Sequence, residues 1–508
     1  MKKLLFSVIL MMCMLIAVFA QDVPEGLYNE ITPELSAPPQ HKWGDDILIT
    51  NQNIGGMDFA TDYNSGSIYA YQNTSHNSTS DTCFLYKSAD NGLTWTKIGG
   101  IQLNENGDIS DPEIIITDAG KVACVSLNIE TTGERVIRMR EFTDTTLMAS
   151  IWEYPTTAAD TVIDYDIDYS DGYYYLTYTV YDASGYWDIC GVTCHEDSNT
   201  WTNHTNLFDN AFAGAEPRIS AGTGGYGYIA FIENRLTAGV KNIRCKRTYN
   251  YGDLWIGSVP ITTDLSGQDI SDIDIACSKL QPEIVWTTVQ FNDFSTWGYY
   301  LSTDACSTSN YEGVIAAESG YEESYGTVES HPVYGWATFA FKSDSASNHN
   351  VAFFYIDESA PANVRELQII NDHLATGTYR PVAGNIMLNS AIMYAGWGPT
   401  NLYFDTYANN LGIDERIAVN DFNVYASPAV FHDETDIFFV MNDNSNVTVE
   451  IFNTLGQRVW SYSSYFAKGI NSVKWSGADS RGSNVPEGLY FFRVNSGSAI
   501  SSGKIILF

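Results

Sequence analysis

The feature that most constrains this chain is a pattern that returns every fifty-odd residues. Such a chain is most simply built by stacking copies of one supersecondary unit. The segments GMDFATD, DPEIIITD, DYDIDYSD, EPRISAG, DIDIACS, HPVYGWA and RPVAGNI begin at Gly56, Asp111, Asp164, Glu216, Asp272, His331 and Arg380. Their successive intervals are 55, 53, 52, 56, 59 and 49 residues. Each segment leads, after a turn, into a strand-like run: IYAYQ, VACVSL, YYLTYTV, YIAFIE, EIVWTT, VAFFYI and AIMYAGW. The 33 tyrosines and 40 glycines suit pleated, half-buried surfaces joined by tight turns. Few windows hold a helical period, so the chain reads as all-β.

Seven repeats of about four short strands have the size and rhythm of a seven-bladed β-propeller, expected over residues 41–410. The segment WGDDILITNQN from Trp43 resembles the run WTKIGGIQLNEN from Trp95, which ends the first repeat. It stands before the first repeat, while the seventh lacks a fourth strand. The expectation is that the N-terminal strand completes the last blade and closes the ring, leaving no large open sheet edge.

A second recurring window sharpens this reading. SADNGLTW supplies Ser88, Asp90, Gly92 and Trp95, and TYNYGDLW supplies Thr248, Asn250, Gly252 and Trp255. Weaker copies are CHEDSNTW from Cys194 and STDACSTS from Ser302, and Trp152 fills a gap in the series. The pattern resembles the Asp-box, or BNR repeat, of sialidases and several other β-propeller proteins. In such a turn the hydroxyl and the Asp or Asn satisfy backbone groups, Gly allows a positive φ, and Trp packs between strands. The resemblance therefore implies a fold, with the turn in the hairpin between the third and fourth strands. It does not imply a reaction.

The ends of the chain carry other signals. MKKLLFSVILMMCMLIAVFA reads as a secretory signal peptide, residues 1–20, cut before Gln21, and no later run is apolar enough to span a membrane. A net charge of −35 repels phosphate backbones, which argues against nucleic acid as a partner. Seven cysteines remain after the signal, an odd and scattered set. They include Cys190 and Cys194, which lack the second pair that a zinc site needs. No metal site or cofactor is read, a structural calcium being the one exception left open.

After a linker, 411–421, the period is lost. Residues 422–508 contain NVTVEIFNTLGQRVW, KGINSVKWSGADSRGSNVPEGLYFFRV and SGKIILF, a small β-sandwich pattern. Ile451, Phe452, Asn453, Gly456, Gln457, Gly469, Trp475, Gly477, Asp479, Gly482, Gly488 and Tyr490 resemble the type A sorting domain of the type IX secretion system, an immunoglobulin-like module related to one in flagellar hook-capping proteins. Tyr425-Ala426-Ser427-Pro428 keeps only the ends of that family's usual opening segment. The resemblance implies contact with outer-membrane secretion machinery and a secreted or surface location on a Gram-negative-type bacterium.

The repeat starts concentrate charge. Gly56, Asp111, Asp164, Glu216, Asp272, His331 and Arg380 are followed two residues on by Asp58, Glu113, Asp166, Arg218, Asp274, Val333 and Val382. Period-two alternation puts both columns on one strand face, expected beside the central channel. A glycoside hydrolase could take its acid and its base or nucleophile from Asp111, Asp164, Glu216 and Asp272. A binding site could use the same acids with His331, Arg380 and Arg218 for a glycan or another surface ligand. A solvated channel could pair them structurally, for example Glu216 with Arg380. A sialidase would need an arginine cluster for the substrate carboxylate, and the first repeat has no arginine. A neutral-sugar exo-glycosidase is the better enzyme alternative, and binding without catalysis is the reading carried forward.

Overall fold

The computed structural model describes Trp43 and, apart from short connecting segments, residues 46–407 and 424–507. The expected signal peptide, 1–20, and the expected linker, 411–421, lie outside the described residues. The chain divides into two compact units. One holds most of the residues up to 408, and the other holds 409–508 with the turn segments 61–68 and 88–94. Among the described residues the only helical element is the single 3₁₀ turn Thr223–Gly225, and all other regular structure is strand.

The larger unit is a series of seven four-stranded antiparallel sheets, an arrangement consistent with propeller blades. Their first strands are Gly56–Asp62, Asp108–Ile116, Thr161–Ser170, Arg218–Ala221, Ile270–Cys277, Glu322–Ser330 and Val382–Ile386. In the first six sheets four consecutive strands pair in chain order. In the seventh, the outer strand is Ile47–Thr50, which pairs with Leu402–Thr406 through Ile47 opposite Phe404. Trp43 extends this pairing by a bridge to Tyr407.

The second strands are buried along their length, as in SIYAYQN and VWTTVQF, because both faces meet neighbouring sheets. Aromatic and β-branched side chains therefore fill the spaces between sheets. Phe339 and Phe354 stack at 4.4 Å, and Tyr299 joins them from the sheet before. Between the first and seventh sheets, Phe59 lies edge-on to Phe404 at 5.2 Å. A Cβ on Gly384 would come within 2.5 Å of the Phe59 ring, so only glycine admits that close approach.

The turn windows adopt one geometry. Ser88 Oγ donates to Asp90 Oδ1 at 2.7 Å and accepts Gly92 N–H at 2.9 Å. Thr248 Oγ1 repeats this with Asn250 at 2.8 Å and Gly252 at 3.1 Å. The two glycines have φ of 87° and 81°. Ser302 builds the same turn with Asp304, but Cys306 occupies the glycine place at φ 56°. Trp95 packs edge-on to Phe404 at 5.1 Å, and Trp255 is buried beside Tyr175 and Phe231.

In the smaller unit, a three-stranded sheet (Val424–Ser427, Thr435–Met441, Gly469–Trp475) and a five-stranded sheet share a core of Ile437, Phe439, Val449, Ile451, Trp475 and Phe492. Trp475 donates through Nε1 to Ala478 O at 2.8 Å, and Tyr490 through its hydroxyl to Pro486 O at 2.5 Å. Each large ring thus keeps its polar end satisfied inside a core.

Candidate functional site

A first strand is an edge strand, so half of its backbone N–H and C=O groups lack a partner within its own sheet. Side chains of the preceding sheet supply acceptors. Asp58 Oδ2 accepts Ile114 N–H at 2.9 Å, Glu113 Oε2 accepts Ile167 N–H at 3.0 Å, and Asp166 Oδ2 accepts Ile219 N–H at 2.6 Å. Asp274 Oδ2 and Thr327 Oγ1 do the same for Val328 and Ala383, each at 2.9 Å. The inner column of acids is therefore a set of clamps between consecutive sheets. Burial pushes Asp58 up to about 7 and Asp166 up to about 8, against the opposing effect of the bonds they accept. Glu113 is raised well above the ordinary range by burial and by the nearby Asp166 and Asp58.

The outer column lies at the entry ends of the first strands, and here the backbone is irregular. The pairing of first with second strand slips between Ser110 and Glu113, between Val162 and Asp164, between Ile270 and Asp272, and between Ser324 and Thr327. Asp111, Glu216 and Tyr325 have φ of 49°, 42° and 55°. Bulges and left-handed non-glycine residues re-aim side chains at a cost, and they cluster where side chains are used. Tyr325 N–H is held by Gln290 Oε1 at 3.0 Å.

Two ion pairs organise this end of the first strands. Arg218 Nη1 donates to Asp164 Oδ2 at 3.0 Å and to Pro217 O at 2.9 Å. Arg380 Nη2 donates to Asp272 Oδ1, so its partner is Asp272, in place of the Glu216 pairing suggested by sequence. Burial and repulsion from Asp272 push Glu216 up to about 7, against the pull of Arg218 and Arg380. Burial and Asp164 also raise Asp111, but that residue is exposed and water screens the effect there. Asp111, Asp164, Glu216, Arg218, Asp272 and Arg380 thus lie toward the starting ends of the first strands of sheets two to five and seven.

His331 stands elsewhere. It follows the end of Glu322–Ser330, is fully buried, and packs its ring 4.4 Å from Trp336. Its Nδ1 accepts Val333 N–H at 3.1 Å. The sixth repeat start is Tyr325, which sequence reasoning missed. The signal was available: Tyr325 changes the uneven intervals 59 and 49 to 53 and 55. A second charged group also went unread. Lys279 Nζ pairs with Asp168 Oδ2 at 2.9 Å and Ala221 O at 2.5 Å, and burial raises neighbouring Glu329 to about 8.

The seven described cysteines, Cys83, Cys124, Cys190, Cys194, Cys245, Cys277 and Cys306, are buried and form no disulfide. Among the described residues no group of three or more His, Cys, Asp or Glu side chains is placed to hold a metal ion. No described helix is long and apolar enough to cross a membrane.

The protein is an all-β repeat protein with an immunoglobulin-sized C-terminal module. Residues 425–505 match the CHU_C type IX secretion signal domain, so the protein is exported, to the cell surface or beyond it, and engages the type IX machinery. No curated protein matches the sequence. Solved structures with a similar fold include the GH93 α-L-arabinofuranosidase of Fusarium graminearum with arabinobiose, at 12% identity over 72% of this chain and 98% of that one, with a TM-score of 0.43. PorZ, a surface component of the type IX secretion system of Porphyromonas gingivalis, matches at 12% identity over 90% of this chain and 59% of its own, with a TM-score of 0.39. A protein of Dyadobacter fermentans matches at 12% identity over 72% and 98%, with a TM-score of 0.42. Similarity this distant does not indicate a reaction.

Proposed function

We propose that residues 41–410 close into a single seven-bladed Asp-box propeller, delivered by the signal peptide and by a sorting domain at 422–508, and that its mouth binds a neutral glycan without cleaving it. The observation that carries this reading is the run of bulges and left-handed residues at Asp111, Glu216 and Tyr325, beside two fixed Arg–Asp pairs. An Arg–carboxylate pair offers donors and acceptors in one plane, which suits the vicinal hydroxyls of a sugar. The clamp carboxylates are committed to backbone N–H groups, so few acids remain for chemistry.

One observation favours a second reading, glycoside hydrolysis. Burial and Asp272 push Glu216 up to about 7, so a share of it carries the proton a general acid needs near neutrality. Titrating the purified protein with neutral oligosaccharides, while assaying reducing ends, separates the two. Binding that Arg380→Met weakens, with no sugar released, supports the binding reading. Sugar release that Glu216→Gln removes would replace it with the hydrolase.

A further inference from the structure

The second and third sheets line a half-open cavity of about 290 Å³ at the end of the strands opposite the mouth. Its wall is aromatic. The Trp152 and Trp201 rings are 4.4 Å apart and inclined by 30°, and Tyr174 stacks on Trp201 at 6.2 Å and 24°. Trp201 occupies the repeat position of Trp95 and Trp255, Trp152 lies farther along its own fourth strand, Thr146–Tyr154, and both remain partly exposed, as Trp95 does. Lys121, Glu141 and Glu196 supply the polar rim. Lys121 Nζ is 3.5 Å from Glu196 O and 4.0 Å from Glu141 Oε1.

The informative atom is the Tyr174 hydroxyl. Tyr174 is 3% exposed and lines the cavity, and its hydroxyl has no hydrogen-bond partner. A buried hydroxyl without a partner costs about 1–3 kcal/mol, and a ligand hydroxyl would satisfy it. One oxygen of Glu196, Oε2, also has no partner.

We propose that this cavity is a saccharide site separate from the mouth, and that it takes a neutral pyranose ring. The aromatic wall offers a flat apolar surface to the C–H face of the ring. Tyr174, Glu196 and Lys121 offer donors and acceptors to its hydroxyls. A cation and two acids around one apolar wall suit a ligand carrying both donors and acceptors. An ammonium ligand would stand against Lys121, and an anion against Glu141 and Glu196. The volume suits one sugar residue, such as the end of a chain.

The test uses the full mature protein and the methyl glycosides of glucose, galactose and mannose, read by tryptophan fluorescence and by saturation-transfer NMR. Binding of at least one glycoside is expected. Tyr174→Phe keeps the ring and removes only the hydroxyl, and it should weaken binding about five- to tenfold, the loss of one hydrogen bond. Trp201→Ala should weaken it further. Tyr174→Phe and Trp201→Ala leave every mouth residue in place, so their loss of binding separates this site from the mouth, and Leu254→Ala, at an exposed side chain outside both sites, should leave binding unchanged. No binding of any glycoside, or equal binding by the wild type and both cavity variants, would overturn the proposal. Binding of tetramethylammonium in place of the glycosides would also overturn it.

Discussion

The carboxylate of Asp166 accepts the backbone N–H of Ile219 at 2.6 Å, fifty-three residues further along the chain. The same link, one sheet earlier, joins Glu113 to Ile167. Acids that look like chemistry in the sequence therefore hold sheets together.

Removing such a link should cost stability. Asp166→Ala leaves the buried N–H of Ile219 without an acceptor, at about 1–3 kcal/mol. Asp166→Asn keeps an acceptor oxygen and should recover most of the loss. Urea unfolding of the two variants beside the wild type measures the difference.

Glu323 makes stability depend on pH. It is fully buried, Ser343 Oγ donates to it at 2.9 Å, and burial pushes it up to about 8. A folded pKa above the unfolded value of 4.5 means that the native state binds the extra proton. Its contribution is complete below 4.5 and is lost as pH rises toward 8. Melting temperature should therefore fall across that window, and Glu323→Gln should flatten the slope.

Arg380 is expected to serve both stability and ligand binding. Without it the buried Asp272 loses its ion-pair partner, and breaking one side of a buried pair costs about 3–5 kcal/mol. Arg380→Met with Asp272→Asn should be more stable than Arg380→Met alone, yet its glycan binding should remain as weak. Denaturation and glycan titration of both variants decide this.

Gly252 tests the turn geometry. Its φ is 81°, and a Cβ there would fall 2.4 Å from Thr193 Cγ2. Gly252→Ala should therefore destabilise by about 2 kcal/mol, combining backbone strain with crowding. Equal melting of variant and wild type would show that the turn relaxes freely.

Export should depend on the C-terminal module. A chain ending at residue 421 keeps every sheet of the larger unit and lacks the type IX signal domain. It should remain inside the outer membrane, which fractionation and surface labelling would show. Its appearance outside the cell would assign the export signal elsewhere.

How much was legible can be argued from particular residues. The strand character, the first five repeat starts and the seventh, and the N-terminal strand beside Leu402–Thr406 all follow from alternation and spacing, which are local. His331 was misplaced because HPVYGWA resembles a repeat start, while Tyr325, in an unremarkable EESYGT, carries no charge to mark it. The Trp152–Trp201 contact could not be read, because it joins side chains from different sheets.

The sequence by itself determined the repeating four-strand unit, its acidic first strands and the exported C-terminal module. Period-two alternation and turn chemistry act over a few residues and leave their mark in order along the chain. Only the tertiary structure decided which acid does what. Asp164 and Asp166 share a strand face, yet one pairs with Arg218 and the other holds Ile219 N–H. The difference arises from a bulge and from a neighbouring sheet some fifty residues away, and hydrogen bonds over that separation leave no local pattern to read.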